Sequence, residues 1–367
     1  MLATGTFYKN GRIFRDASNK KNTIVITLRE YYYKKLIIEV QNPQLALQKL
    51  NNLKMKCIYI LLFSALWSCC FAQNKNFTTS VIDVNPLIKG TLYTPNEISK
   101  SKTLVIIIAG SGPTDRDGNQ RNLVNNSLKF LCEGVASNAI HAFSYDKRMF
   151  AMAQAGKVDE ASLSFNDFIT DANDVVQFFK NEKKYKKIVI IGHSEGALIG
   201  LVAASQNTDA YISIAGAGRG IDAVILDQIA LQAPFLKDEV QQNLEILKTG
   251  KTFELKNQML ASIFRSSVQP YMISWLKYQP QEEIKKLQIP ILIINGTKDL
   301  QVSVADAQLL QQAKPTAKLV IINNMNHVFK DISGDDSANK ASYNNPELPN
   351  SSQLLDEIIS FIKNLNM

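Results

Sequence analysis

Gly192-His193-Ser194-Glu195-Gly196 sets a serine between two flanking glycines. The apolar run Ile188–Ile191 precedes it, and a small-residue stretch containing Ala197 and Gly200 follows, so a strand, a sharp turn and a helix are predicted in succession. A serine in such a turn is strained and projects its hydroxyl past the strand end, while the glycines remove Cβ atoms that would obstruct the turn. That arrangement suits nucleophilic attack if a base takes the hydroxyl proton. Three histidines are available. His193 adjoins the serine and cannot turn to face its oxygen, and His141, before a short strand, reads as a packed or surface residue. His327, just past the run Lys318–Ile322, is the candidate base. A carboxylate must orient its imidazole and stabilise the charged form. Asp299, after the run Ile289–Ile294, is the candidate acid; the rival Asp306 falls within the next predicted helix. An ordinary Gly/Ser turn is the bland alternative.

Attack on a carbonyl would also require donors for the oxyanion. The backbone N–H of Glu195 directly follows the nucleophile. A second is expected from the loop Gly110–Asn119, with Ser111 as the chosen donor. This loop has neither the G-x-G-x-x-G pattern nor a G-K-[ST] ending, which sets phosphate binding aside. Asp115, Arg116 and Asp117 are expected to brace the loop by salt bridges rather than to touch substrate. No pair of His or Cys residues has ligand spacing, so no metal cluster is expected.

These residues need a frame that brings strand ends together. Thr103–Ala109, Lys187–Ile191, Ala210–Ala215, Ile289–Asn295 and Lys318–Ile322 are apolar without a polar face, and Ala142–Asp146 is a weaker member. Helical spacing is found in residues 127–137, 165–181, 195–205, 304–313 and 352–365. Strands buried on both sides and alternating with helices predict an α/β fold: a mostly parallel central sheet with helices on both faces. About seventy residues without strand signal separate Ala215 from Ile289, far beyond an ordinary connection. They predict a helical cap at about 217–288, with Phe235, Leu236, Val240 and Leu244 on one helical face and Met259, Phe264, Met272 and Trp275 downstream.

The chain has 367 residues, 46% hydrophobic and 20% charged, which excludes a disordered, collagen-like or disulfide-scaffold protein. Its net charge of +8 is an N-terminal property: residues 1–54 carry +7, Lys56 adds one, and residues 73–367 hold 30 basic and 30 acidic residues. The predicted 73–367 domain therefore has no electrostatic footprint for nucleic acid. Residues 55–72 read as a signal peptide: Lys56, an apolar run from Cys57 to Phe71, and small residues at Cys70 and Ala72 before cleavage at Gln73. The run is too short for a membrane span. Leu66-Trp67-Ser68-Cys69 resembles a lipoprotein box, so a lipid anchor at Cys69 competes with a secreted or periplasmic form. A signal starting at Met55 suggests that translation starts there and that residues 1–54 are a non-native or disordered extension; a genuine basic extension is the alternative. Cys132 alone remains after cleavage, so a packed core must supply stability.

The motifs together resemble the α/β-hydrolase superfamily, specifically bacterial serine esterases close to its serine-aminopeptidase-like branch. Gly110–Asn119 matches that group's G-S-G-P-x-D-R-D-G-N loop, Tyr145–Arg148 its Y-D-K-R strand end, Gly192–Gly196 its G-H-S-x-G elbow, Gly296–Asp299 its G-x-x-D acid, and His327 its late histidine. Ser194, Asp299 and His327 also occur in the α/β-hydrolase chain order. Met149 and Phe150 stand where a Gly commonly follows Y-D-K-R, so the pocket rim is expected to differ. The resemblance spans roughly 77–365. It implies cofactor-free hydrolysis of a small-molecule carboxylic ester through an acyl-enzyme. An aminopeptidase or amidase on the same triad stays open and would need an acidic group under the cap, with Glu239 and Glu245 as candidates. A non-catalytic binding protein on the same scaffold is the third reading. The oligomeric state is not legible.

Overall fold

The computed structural model describes residues 5–9, 12–13, 23–27, 35–39, 42, 44–45, 76–97, 102–156 and 158–365. Two compact units are present, Met1–Asn74 and Lys75–Met367. In the first, Gly5–Lys9, Arg12–Ile13, Thr23–Thr27 and Lys35–Glu39 form a four-stranded antiparallel sheet. The expected signal at 55–72, its cleavage point at Gln73 and the lipidation candidate Cys69 lie outside the described residues.

The second unit is built on eight strands: β1 Phe77–Asn85, β2 Ile88–Pro95, β3 Thr103–Ile108, β4 His141–Tyr145, β5 Lys187–His193, β6 Ala210–Ile214, β7 Ile291–Gly296 and β8 Lys318–Ile322. They pair in the order β1-β2-β4-β3-β5-β6-β7-β8. β1, β2 and β4 pair antiparallel, and every pairing from β4 through β8 is parallel. This is the mostly parallel α/β-hydrolase sheet that the sequence implied.

Strand periodicity divides the core. Leu104, Ile106 and Ile108 of β3 face one side, where they pack with Phe165, Val175 and Phe179 of α3 (Phe165–Asn181) and Leu198 of α4 (Glu195–Asn207). Val105 and Ile107 face the other, packing with Leu131 and Val135 of α1 (Ser127–Ser137) and Leu354 and Ile358 of α12 (Ser352–Asn364). An all-apolar strand is what such two-sided burial requires. Ser164 caps α3 in a reciprocal capping box with Asp167, which closes the helix start. Two seven-residue helices, α2 (Arg148–Gln154) and α11 (Asp336–Ser342), stand outside the cap.

Between β6 and β7 the chain forms the cap: α5 Ile221–Gln232, α6 Lys237–Lys248, α7 Ala261–Phe264, α8 Gln269–Trp275 and α9 Pro280–Lys286. Leu236, Val240, Leu244, Leu247, Phe264 and Met272 form its own small core. Phe235 departs from the expected face and is 74% exposed. The helix starts two residues later than its spacing suggested, and Phe235 falls in a preceding 3₁₀ turn, Pro234–Leu236, outside the 3.6-residue period. Met259, also in a 3₁₀ turn, is exposed.

Candidate active site

β5 runs directly into Ser194, which sits at φ 56° and ψ −120°, and α4 begins at the next residue. A Cβ on Gly192 would lie 2.3 Å from the Gly196 carbonyl, and one on Gly196 would lie 2.4 Å from the carbonyls of Ile108 and Ala109. Both flanking glycines are therefore required by close backbone approach. The Ser194 N–H donates to the Ile214 carbonyl at 3.0 Å, tying the turn to β6. Glu195 opens the helix, so its amide is among those that an α-helix leaves without an internal acceptor.

Beyond β7, the Asp299 carboxylate divides its oxygens. Oδ1 accepts the N–H groups of Gln301 and Val302 at 2.8 and 2.9 Å, while Oδ2 lies 2.8 Å from Nδ1 of His327. Both side chains are almost fully buried. A carboxylate can only accept, so Nδ1 carries the proton and Nε2 is left as an acceptor. His327 stands in the loop after β8, where Asn326 accepts the N–H groups of Val328 and Lys330 and donates to Asn339 and Ser342. Ser194, His327 and Ser111 border one cavity of about 360 Å³.

His193, set aside as a base, has a different use. Its Nε2–H donates to the His327 carbonyl at 2.9 Å, and the Phe329 ring packs 4.7 Å from its own. Burial, with His327 beside it, pushes the His193 imidazole down to about 3, so it is neutral at ordinary pH. Asp306 is buried at the base of the cap. It accepts two bonds from Arg219, each at 3.0 Å, and one each from Ser303 and the Gly218 N–H. Burial works to raise its carboxyl, but Arg219 and Ser303 outweigh it and hold the group below its ordinary value. His327 is joined to Asp299, and Asp306 is joined to Arg219.

The loop after β3 is braced as its charges suggested. Arg116 pairs with Asp146, and the Asp115 carboxylate accepts the N–H groups of Asp117 and Asn119. The Ser111 carbonyl accepts from Thr114 Oγ1 and Gln120 Nε2, and Gly112 takes φ 83°. One contact escaped the sequence reading. Lys147 donates to the Gly110 carbonyl at 3.0 Å and forms a buried ion pair with Glu195. The two residues stand far apart in sequence, and only the Y-D-K-R run hinted that Lys147 mattered.

A second cavity, of about 320 Å³ and mainly apolar, lies beneath the cap among Leu163, Ile225, Val268, Tyr271 and Trp275, and reaches Ser111 and Glu195. A third, of about 160 Å³, meets Ser194 beside Arg219 and Trp275. No group of His, Cys, Asp and Glu suited to a metal ion is present among the described residues, and no described helix is long and apolar enough to cross a membrane.

A family model described as serine aminopeptidase, S33, matches residues 126–265. The chain is 28% identical over 245 residues to the esterase EstD of Thermotoga maritima, a match covering 65% of this chain and 57% of that protein. It thus spans little more than half the length of that relative. Among solved structures it is similar to Est1E from Butyrivibrio proteoclasticus, at 17% identity and a TM-score of 0.50, covering 78% of this chain and 99% of that one.

Proposed function

We propose that this chain, an α/β hydrolase in fold, is a serine hydrolase that cleaves carboxylic esters through Ser194, His327 and Asp299. The observation that carries the proposal is the 2.8 Å contact between Asp299 and His327 Nδ1, with the strained Ser194 on the same cavity wall. It leaves the imidazole with Nε2 free to accept a proton. His327 takes the Ser194 hydroxyl proton as Oγ attacks the ester carbonyl. The N–H groups of Ser111 and Glu195 receive the developing oxyanion; one such donor is worth about 3 kcal/mol of barrier. His327 then protonates the departing alcohol. Water, deprotonated by the same histidine, attacks the acyl-enzyme and frees Ser194.

The contents of the apolar cavity favour an ester over a peptide with a free amine. Two carboxylates line it, Glu160 and Glu195. Glu160 is engaged by Arg265 and Ser267, and the Arg265 hydrogen bond holds its carboxyl below the ordinary value. Glu195 is engaged by Lys147. A substrate ammonium would have to displace one of these cations. The cap candidates Glu239 and Glu245 accept from Asn257 and Gln241, and neither borders the three cavities.

Turnover of p-nitrophenyl esters and of amino-acid arylamides, side by side, tests the proposal. Esters should be cleaved and arylamides with a free amine should not, and Ser194→Ala should lower ester turnover by at least about ten-thousandfold. Preferential cleavage of the arylamides would establish the aminopeptidase reading. Absence of turnover on both would leave a binding protein.

A further inference from the structure

Lys147 stands between the two groups to which the oxyanion is assigned. Its side chain is 2% exposed and that of Glu195 is 3% exposed. The ammonium donates to the Gly110 carbonyl at 3.0 Å, pairs with the Glu195 carboxylate, and lies 4.6 Å from the centre of the Phe168 ring. The Lys147 backbone N–H also donates to the Thr114 carbonyl at 3.1 Å, so this residue grips the loop after β3 twice. A buried ion pair is expensive to desolvate and is commonly no more stabilising than apolar residues of the same size. Stability alone gives a weak reason for this one.

The peptide plane gives a better reason. The Gly110 C=O and the Ser111 N–H belong to a single planar trans unit and point in opposite directions. A cation fixed on the oxygen therefore fixes the direction of the N–H, and polarises it into a stronger donor. Through the carboxylate, the same ammonium holds Glu195, the residue that presents the other N–H. We propose that Lys147 is the positioning residue of the oxyanion hole, aligning the Ser111 and Glu195 amides with one buried charge. From the cap, Tyr271 lines the same cavity as Lys147 and Glu195, so the seating of α8 bears on the same pair. The inference rests on the reading of Ser194 as an ester-cleaving nucleophile.

The test compares wild type with the double variant Lys147→Met/Glu195→Gln, which strands no charge. Melting temperature, kcat and KM on one p-nitrophenyl ester, and inhibition by a boronic acid that places an anionic oxygen in the hole would be measured. The folded variant should lose about 100-fold in kcat with KM within about threefold, and boronate affinity should fall in step with kcat. Affinity for the carboxylic acid product should stay near wild type. A folded variant with kcat within about threefold of wild type, or with unchanged boronate affinity, would overturn the proposal. Should the double variant fail to fold, Lys147→Gln/Glu195→Gln, which also strands no charge but puts a neutral amide donor against Gly110, replaces it, with a loss of about tenfold in kcat and in boronate affinity expected from the missing cation and a loss within about threefold overturning the proposal. A wild type that turns over no ester would instead remove the functional reading, and this inference with it.

Discussion

The interior strands of the sheet and the cap above them treat apolar residues differently. Along β3, β5 and β7 nearly every side chain is buried, whereas the cap leaves Leu231 and Phe235 85% and 74% exposed. The sheet packs helices on both faces, so its strand ends are held by two cores at once. The cap has one core, built from two helices of twelve residues, shorter helices and 3₁₀ turns. Reaction geometry demands placement to a fraction of an ångström, and Ser194, Asp299 and His327 all follow sheet strands. Selection of a substrate tolerates adjustment, and the cap supplies about half of the wall of the apolar cavity. On the proposed function, position falls to the sheet and selection to the cap, with Asp306 at the neck between them.

The largest effect should come from the sheet. Asp299→Asn keeps the shape of the site but loses the carboxylate that fixes the His327 proton on Nδ1. The expected loss in turnover is about ten-thousandfold with the fold retained, measured as kcat on one ester against the melting temperature. A loss under tenfold would detach Asp299 from the chemistry.

Next is the acid stability of the site wall. His193 is held neutral in the fold, down to about 3, whereas an unfolded histidine titrates at about 6.5. As pH falls below that value the unfolded chain takes up the proton first, so stability is present above it and is lost progressively toward pH 3. The cumulative loss is about 4–5 kcal/mol from this group. His193→Gln keeps an N–H for the His327 carbonyl but does not titrate, and should flatten the acid limb of urea midpoint against pH. Superimposable curves for the two proteins would refute this assignment.

The neck should give the smallest effect on chemistry. Asp306→Asn weakens the Arg219 contacts that tie the start of the cap to α10 (Val304–Ala313). With Arg219 partly exposed, the expected cost is about 2 kcal/mol, seen as a lower melting temperature, with ester turnover within about fivefold of wild type. If Asp306→Asn instead loses as much turnover as Asp299→Asn, the acid of the triad is Asp306.

The same contrast governs how much could be read from the residues. Ser194, Asp299 and His327 each follow an all-apolar run, and such runs mark strands whose ends share one edge, so these positions were legible. The first two strands were not: β1 is mostly exposed, and its Thr78-Thr79-Ser80 stretch has no apolar run to announce it. Phe235 was misplaced in the cap because helical spacing cannot show at which residue a helix starts. The Lys147–Glu195 pair is a contact through space between β4's end and the elbow, and sequence spacing does not encode it. Strand ends are local signals, whereas ion pairs across a fold are not.

The most direct test of Ser194 as the nucleophile is covalent. The protein would be treated with a fluorophosphonate, digested, and mapped by mass spectrometry. A single phosphonyl adduct is expected on the peptide carrying Ser194, absent in Ser194→Ala and formed far more slowly in the Asp299→Asn variant. An adduct on any other residue of the wild type, or labelling that persists in Ser194→Ala, would contradict it.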